Sequence, residues 1–164
     1  MSGRPSDPIA EAKRQWEVHG WSDAAPGMAA VTTLFRVHQL LLSQIEQTLA
    51  PMGLTFARFE ILRLLGFSRA GLPMGVIGER LMIHPASVTS AVKRLERDEL
   101  IRRAPDANDN RVVLASLRPD GVDLLDRATE AMNRLFEAVE TEGLDEAMEW
   151  FDRIRAAAGD RFTR

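Results

Sequence analysis

Cysteine is absent from the 164 residues. That excludes disulfides, thiolate metal sites, a cysteine nucleophile and any cysteine redox switch. Histidine is scarce. His19, His38 and His84 stand far apart, and none has a second histidine or a carboxylate at metal-ligand spacing. No metal and no cofactor is expected. Long apolar runs are missing, with nothing approaching the ~18 residues of a membrane span, so no membrane partner is expected. The opening MSGRPSDP lacks the apolar stretch of a signal peptide, and the expected location is cytoplasmic. Also lacking are a nucleophile–base pair and a phosphate-cradling glycine loop, so an enzyme is not expected. An excess of basic charge is missing too: the net charge is −3 and the pI is near 5.7. Taken over the whole chain, that balance argues against nucleic acid, whose phosphates attract cations.

What is present qualifies the last point. Hydrophobic residues at 45% and charged residues at 27% make a globular chain, long enough for one domain with a helical extension. From His84 to Arg118 seven cations (Lys93, Arg94, Arg97, Arg102, Arg103, Arg111, Arg118) face five anions (Glu96, Asp98, Glu99, Asp106, Asp109). A net basic segment therefore sits in an acidic chain, and its helix faces decide what it can touch.

Asp7-Pro8 reads as a helix start, with Asp as N-cap and Pro at the first helical position, and Gly20 as the stop. WSDAAPG reads as a linker. A long helix follows, with Val31, Leu34, Phe35, His38, Leu41, Leu42, Ile45 and Leu49 at helical spacing, ended by Pro51 and Gly53. Thr55 caps a third helix whose Phe56, Phe59, Leu62 and Leu65 share one face. After the turn RAGLP, MGVIGERLMI reads as a short helix with Ile77 and Leu81 inward. His84-Pro85 interrupts it and Pro85 opens another helix, ASVTSAVKRLERDEL. Two short helices joined by a tight turn form a helix-turn-helix pattern.

In the second of these helices Val88, Val92 and Leu95 take the buried stripe, with Ala91 beside it. The opposite side carries Ala86, Ser87, Ser90, Lys93, Arg94 and Arg97, with Thr89 at its border. A solvated face usually mixes Glu and Lys. Here short side chains and hydroxyls come first and cations one and two turns later, which suits a helix sunk in a major groove. LIRRA and RVVLASL then read as strands around the loop PDANDN, an arrangement that makes a wing. The loop holds Asn108, Asp109 and Arg111, and a long cation on a projecting hairpin can enter a minor groove. The plainer alternative is a surface hairpin with an Asp–Arg ion pair; the order helix, turn, helix, hairpin, basic tip favours a winged helix. Helical patterns return over Asp120 to about Glu142, with Val122, Leu125, Ala128, Met132, Leu135, Phe136 and Val139 apolar, and over LDEAMEWFDRIRAAA after Gly143.

Together IHPASVTSAVKRLERDELIRR, the D-x-R motif at Asp109–Arg111 and LRPDG resemble the MarR family of bacterial regulators over roughly Ala29 to the C-terminus. Arg118-Pro119 stands where the family pattern L-T-x-x-G has Thr. The resemblance implies a mainly α fold with a small β-hairpin wing, a winged helix-turn-helix with a helical dimerisation region. The expected divisions are an N-terminal helix and linker (1–28), a dimerisation helix (29–54), the DNA-binding lobe (55–118) and C-terminal dimerisation helices (119–164). It further implies that Ala86, Ser87, Thr89, Ser90, Lys93, Arg94 and Asn108 lie against double-stranded DNA, that Arg111 enters the minor groove, and that Asp109 holds Arg111 in pose.

The helix before His19 resembles an addition found in a subgroup responsive to urate and phenolic ligands. There the resemblance implies a pocket from Trp16, Phe59 and Glu60, near Phe35 and His38 of the long helix. Glu60 is longer than the Asp of that subgroup. Two roles stay open for Trp16, ligand contact or a clamp holding the added helix. The implied function is a homodimeric repressor that leaves a pseudo-palindromic operator when a phenolic or aromatic-acid-like effector binds. The alternative is a winged-helix protein-interaction module without its own operator.

Overall fold

The computed structural model describes residues 7–68, 70–82, 84–107 and 109–160, with Pro85 described by its backbone alone. Helix α1 (Pro8–Val18) is capped by Asp7, whose carboxylate accepts from the Ile9 amide at 2.9 Å, and the chain leaves it through Gly20 at φ +85°. Helix α2 (Ala25–Leu49) begins four residues before Ala29. Pro26 sits in its first turn, where the missing amide would have had no partner, so the proline opens the helix instead of extending the linker. At 25 residues it runs roughly 37 Å. A 3₁₀ turn (Ala50–Met52) and Gly53 at φ +66° lead to α3 (Phe56–Gly66), capped by Thr55 as expected.

After α3 come β1 (Leu72–Pro73), α4 (Met74–Leu81), α5 (Pro85–Arg97), β2 (Ile101–Pro105), β3 (Val113–Leu117), α6 (Pro119–Glu137) and α7 (Leu144–Ala157). The wing is a three-stranded antiparallel sheet, ordered β1-β3-β2, and not a lone hairpin. Leu72 and Pro73, read as turn, pair with Ala115 and Leu114. Gly71 permits this: its φ is +79°, and a Cβ there would lie 2.6 Å from the Ala115 carbonyl oxygen. Pro73 lies on an edge strand, where a proline is tolerated. Strand β3 starts at Val113, two residues after Arg111, because the Asp106 and Val112 amides donate to the Val112 and Asp109 carbonyls and close the wing tip into turns.

The chain divides into two units, residues 1–132 and 133–164. The first holds a continuous apolar core. Phe59, Ile61, Leu62 and Leu65 of α3 meet Ile77 of α4, Val88, Val92 and Leu95 of α5, and Ile101 and Ala115 of the sheet, all at most 2% exposed. Each large side chain so buried stabilises the lobe by about 1.5–3 kcal/mol. Helix α6 docks by close backbone approach: a Cβ on Gly121 would lie 2.0 Å from the Leu100 carbonyl oxygen, which accepts from the Arg118 amide at 3.0 Å. The glycine of LRPDG is thus required by space. Its buried stripe is Gly121, Leu124, Leu125, Ala128 and Met132; Val122, one of its apolar residues, is 41% exposed. The helix also stops at Glu137 and not near Glu142, in a stretch where Glu137, Glu140 and Glu142 oppose the negative end of the helix dipole.

In the second unit Gly143 (φ +73°) precedes α7, none of whose residues is fully buried. Trp150 and Phe151 hold their rings 5.4 Å apart. Among the described residues no helix is long and apolar enough to cross a membrane.

Candidate nucleic-acid interface

Helix α4 ends at Met82, whose backbone turns through φ +52° and sends the chain toward His84. His84 caps α5: its Nδ1 accepts from the Ala86 amide at 3.2 Å, and its carbonyl accepts from the Ser87 amide at 2.9 Å. Val88, Val92 and Leu95 anchor one side of α5 in the core, and this fixes the rotation of the other. Ala86, Ser87, Thr89, Ser90, Lys93, Arg94 and Arg97 are all exposed. Lys93 and Arg94 make no ion pair among the described residues, so both cations are available to an anionic partner. Arg97 is held by Asp98 at 3.1 Å.

A depression of about 370 Å³ runs beside this helix, lined by Thr55, Arg58, Ala86, Ser87, Ser90, Ala91 and Arg94. From the sequence Thr55 was read only as a helix cap, and Arg58 was not singled out. Arg58 is only 12% exposed and reaches across the fold, pairing with Asp98 at 2.5 Å and donating to the Gly53 carbonyl at 2.8 Å. It braces the far end of α5 against the turn after α2, and its Nε is buried without a partner. Burial pushes the Asp98 carboxyl up, but Arg97 and Arg58 outweigh it and leave the group below the usual carboxylate range. No local signal could have paired residues forty positions apart.

At the wing tip Arg111 is 90% exposed and forked onto Asp109: its Nε and Nη2 donate to the two carboxylate oxygens at 3.0 and 3.1 Å, and its amide donates at 3.0 Å. These bonds hold the Asp109 carboxyl below its usual range. Such an exposed pair adds little stability, so its effect is on the pose of the guanidinium. Asn108 lies outside the described residues. The neighbouring cations are engaged otherwise: Arg103 pairs with Glu96 at 2.5 Å and Arg102 donates to Ser116 at 3.1 Å.

The five residues expected at an effector pocket are not gathered within one chain. Trp16 is half-buried, edge-on to Trp21 at 5.4 Å, and Trp21 stacks on His19. Phe35, 65% exposed, lines a groove of about 340 Å³ with Pro8 and Ile9, at the other end of α1. The seven residues from Ile9 to Trp16 amount to roughly 10 Å along that helix. His38 is exposed, Phe59 lies in the lobe core, and Glu60 is half-buried in a 3.0 Å pair with Arg63. Among the described residues no group of three metal-ligating side chains occurs.

A helix presenting hydroxyls and unpaired cations, reached through a tight turn and followed by a hairpin tipped with a braced arginine, defines a winged helix-turn-helix DNA-binding protein. The family model described as "MarR family" matches residues 54–113. The HTH-type transcriptional regulator PecS of Dickeya dadantii is 29% identical over 126 residues, covering 74% of this chain and 75% of that protein. The HTH-type transcriptional repressor Mb2911 of Mycobacterium bovis is 30% identical over 105 residues, covering 64% and 74%. The crystal structure of Sco5413, a MarR family transcriptional regulator of Streptomyces coelicolor, superposes with a TM-score of 0.71 at 40% identity, covering 84% of this chain and 99% of that one. The chain belongs to the MarR family of transcriptional regulators and is not an enzyme.

Proposed function

We propose that the protein is a homodimeric repressor that grips a pseudo-palindromic operator with two winged lobes and releases it when a small aromatic acid or phenol binds. The observation that carries this reading is the outer face of α5, where Lys93 and Arg94 stand exposed and unpaired behind Ser87, Thr89 and Ser90. Seated in a major groove, the small N-terminal residues bring the backbone close, the hydroxyls meet bases or phosphates, and the cations reach guanine edges or the backbone. Arg111 enters the adjacent minor groove, oriented by Asp109. Two such lobes about 34–36 Å apart would read half-sites one turn apart.

The exposed apolar residues support the dimer. Val31, Phe35 and Leu41 on α2 are 53%, 65% and 41% exposed, and Leu144, Met148 and Ile154 on α7 are 40%, 48% and 38% exposed. Apolar surface of this extent is what a second copy would cover. Trp16, Phe35, His38, Phe59 and Glu60 would then meet the effector from both subunits, and release requires that it bind the operator-incompetent arrangement more tightly. The test is a gel shift on the intergenic DNA upstream of the protein's own coding sequence, at two salt concentrations. The expected outcome is specific, salt-sensitive binding, weakened far more by Arg111→Ala than by Arg155→Ala, whose side chain is tied to Asp160 and Asp152. Equal losses would overturn the wing assignment.

The net charge of −3 favours a second reading, a winged helix used for protein contacts. Light scattering separates the two, since a repressor forms a dimer–duplex complex of defined mass.

A further inference from the structure

Two depressions of opposite character flank α5. Toward α4 lies one of about 650 Å³, where Val88 and Thr89 share the wall with Met74, Met82 and Glu79. Toward α3 lies the depression of about 370 Å³, where Ser87, Ser90 and Arg94 share the wall with Thr55 and Arg58. The first is largely apolar and has an acid in its wall. The second has three hydroxyls and two guanidinium groups, and no acid among the described residues that line it. Ser87, Ala91 and Arg94 follow one another at helical spacing, so this composition runs along one flank of the helix.

The polar groups of that flank are donors with little to bind inside the fold. Thr55 accepts from the Arg58 amide at 3.4 Å, which leaves its hydroxyl proton to donate. The Ser87 and Ser90 hydroxyls and the Arg94 guanidinium make no hydrogen bond or ion pair among the described residues. Arg58 is fixed behind them by the Gly53 carbonyl and Asp98, with its Nε buried and unpartnered. Asp98 also holds Arg97, so one acid serves two guanidinium groups and the trio keeps a net positive charge. The amide end of α3 is not itself the seat, because Glu46 already accepts from the Phe56 amide at 2.9 Å.

A helix in a major groove about 12 Å wide has a phosphate strand along each flank. Phosphate oxygens are anionic acceptors, which the α3 flank can bind and the Glu79 side repels.

We propose that the α3 flank of α5 seats one backbone phosphate of the duplex. Arg94 and the Thr55 and Ser87 hydroxyls donate to its oxygens, and Arg58 supplies a fixed charge behind them. Thr55 thereby becomes a DNA contact from outside the helix-turn-helix. Arg94 sets the register of α5, and base edges fall to Lys93 and to Ser90 at the rim. This rests on the reading of α5 as the helix that enters DNA.

The test is fluorescence anisotropy over a series of salt concentrations, with the upstream intergenic DNA and an unrelated duplex of equal length. Asp caps a helix as well as Thr does, so Thr55→Asp keeps α3 capped while placing an anion in the seat. It is expected to melt with wild type and to lose about tenfold or more in affinity for both duplexes. Arg94→Gln is expected to weaken both duplexes by the same factor. It should also flatten the slope of log K against log salt by about 0.9, the share of one phosphate. Ser22→Asp adds the same charge in the exposed turn before α2 and should bind like wild type. Should Thr55→Asp melt early, Arg94→Gln carries the test alone, since its side chain has no bond among the described residues to lose. Thr55→Asp binding no worse than Ser22→Asp would overturn the seat while leaving the DNA reading intact. So would an Arg94→Gln loss confined to the intergenic DNA with an unchanged salt slope, which would make Arg94 a base reader. Wild type binding neither duplex would remove the DNA reading and the seat together.

Discussion

The winged lobe and the helices flanking it treat apolar residues in opposite ways. In α3 and α5 the inward side chains Phe59, Ile61, Leu62, Val88, Val92 and Leu95 are all at most 2% exposed. In α2 Phe35 is 65% exposed, and α7 has no fully buried residue. The lobe completes its core within one chain. The flanking helices carry equally apolar side chains that lie exposed, and these are the surface that the proposed dimer would cover. Substitutions in the two regions should therefore fail differently.

The largest effect is expected inside the lobe. Phe59→Ala removes a ring from a site 2% exposed and should cost about 3–5 kcal/mol in urea unfolding. Phe35→Glu should leave the unfolding of the lobe nearly unchanged and instead turn dimer into monomer in analytical ultracentrifugation. If Phe35→Glu destabilised the lobe as much as Phe59→Ala, the contrast between the regions would be lost.

At the DNA face the effects are smaller. Arg94→Ala is expected to weaken operator binding by about 1–3 kcal/mol, roughly ten- to a hundredfold, with no loss of thermal stability, because the Arg94 side chain makes no ion pair or hydrogen bond among the described residues. Arg58→Ala should do the reverse. Its guanidinium holds Asp98 and the Gly53 carbonyl from a site 12% exposed, so stability falls first. Comparing melting temperature with gel-shift affinity for the two variants checks this directly.

The cap of α5 comes next. His84→Ala removes the acceptor for the Ala86 amide and should cost about 0.5–2 kcal/mol, whereas His84→Ser keeps an acceptor there and should recover most of it.

What the sequence disclosed follows the range of the interactions. Asp7, Thr55 and Gly20 were legible as helix ends because each acts on amides or dihedrals within three residues. The rotation of α5 was legible because Val88, Val92 and Leu95 repeat at helical spacing. Strand β1 was not: Leu72 and Pro73 are strand only because Gly71 lets them approach Ala115, more than forty residues away. Nor was the Arg58–Asp98 brace, which joins two helices through long side chains without any periodic signal. In α6 the apolar residues alone do not say which side is buried, and the close approach of Gly121 to Leu100 selects the stripe through Leu124 and leaves Val122 exposed. For the effector residues the single pocket was implied by the resemblance alone; Phe35 lies by Pro8 and Ile9, at the end of α1 away from Trp16.

The smallest expected effect is at the wing tip, and its sign separates pose from stability. The forked bond from Arg111 depresses the Asp109 pKa. A carboxylate depressed in the folded state favours that state above its unfolded pKa, and the contribution is lost as pH falls through the folded pKa. Both side chains are solvated, so this linkage should leave melting temperatures of wild type and Asp109→Asn nearly superimposed between pH 5 and 8 by screening alone. Operator affinity should behave differently. In the proposed docking, ionised Asp109 would present Arg111 to the minor groove already oriented; in Asp109→Asn the charge-assisted fork is gone at every pH, and affinity should drop a few-fold at pH 7. Because the folded pKa lies below the usual carboxylate range, Asp109 stays largely ionised down to pH 4, and the gap between wild type and variant should hold constant from pH 7 to pH 4. A fluorescence-anisotropy titration of both proteins over that range reads the gap. A gap that closes within it would mean that the fork does not keep Asp109 ionised and that the pose of Arg111 rests on something other than that charge.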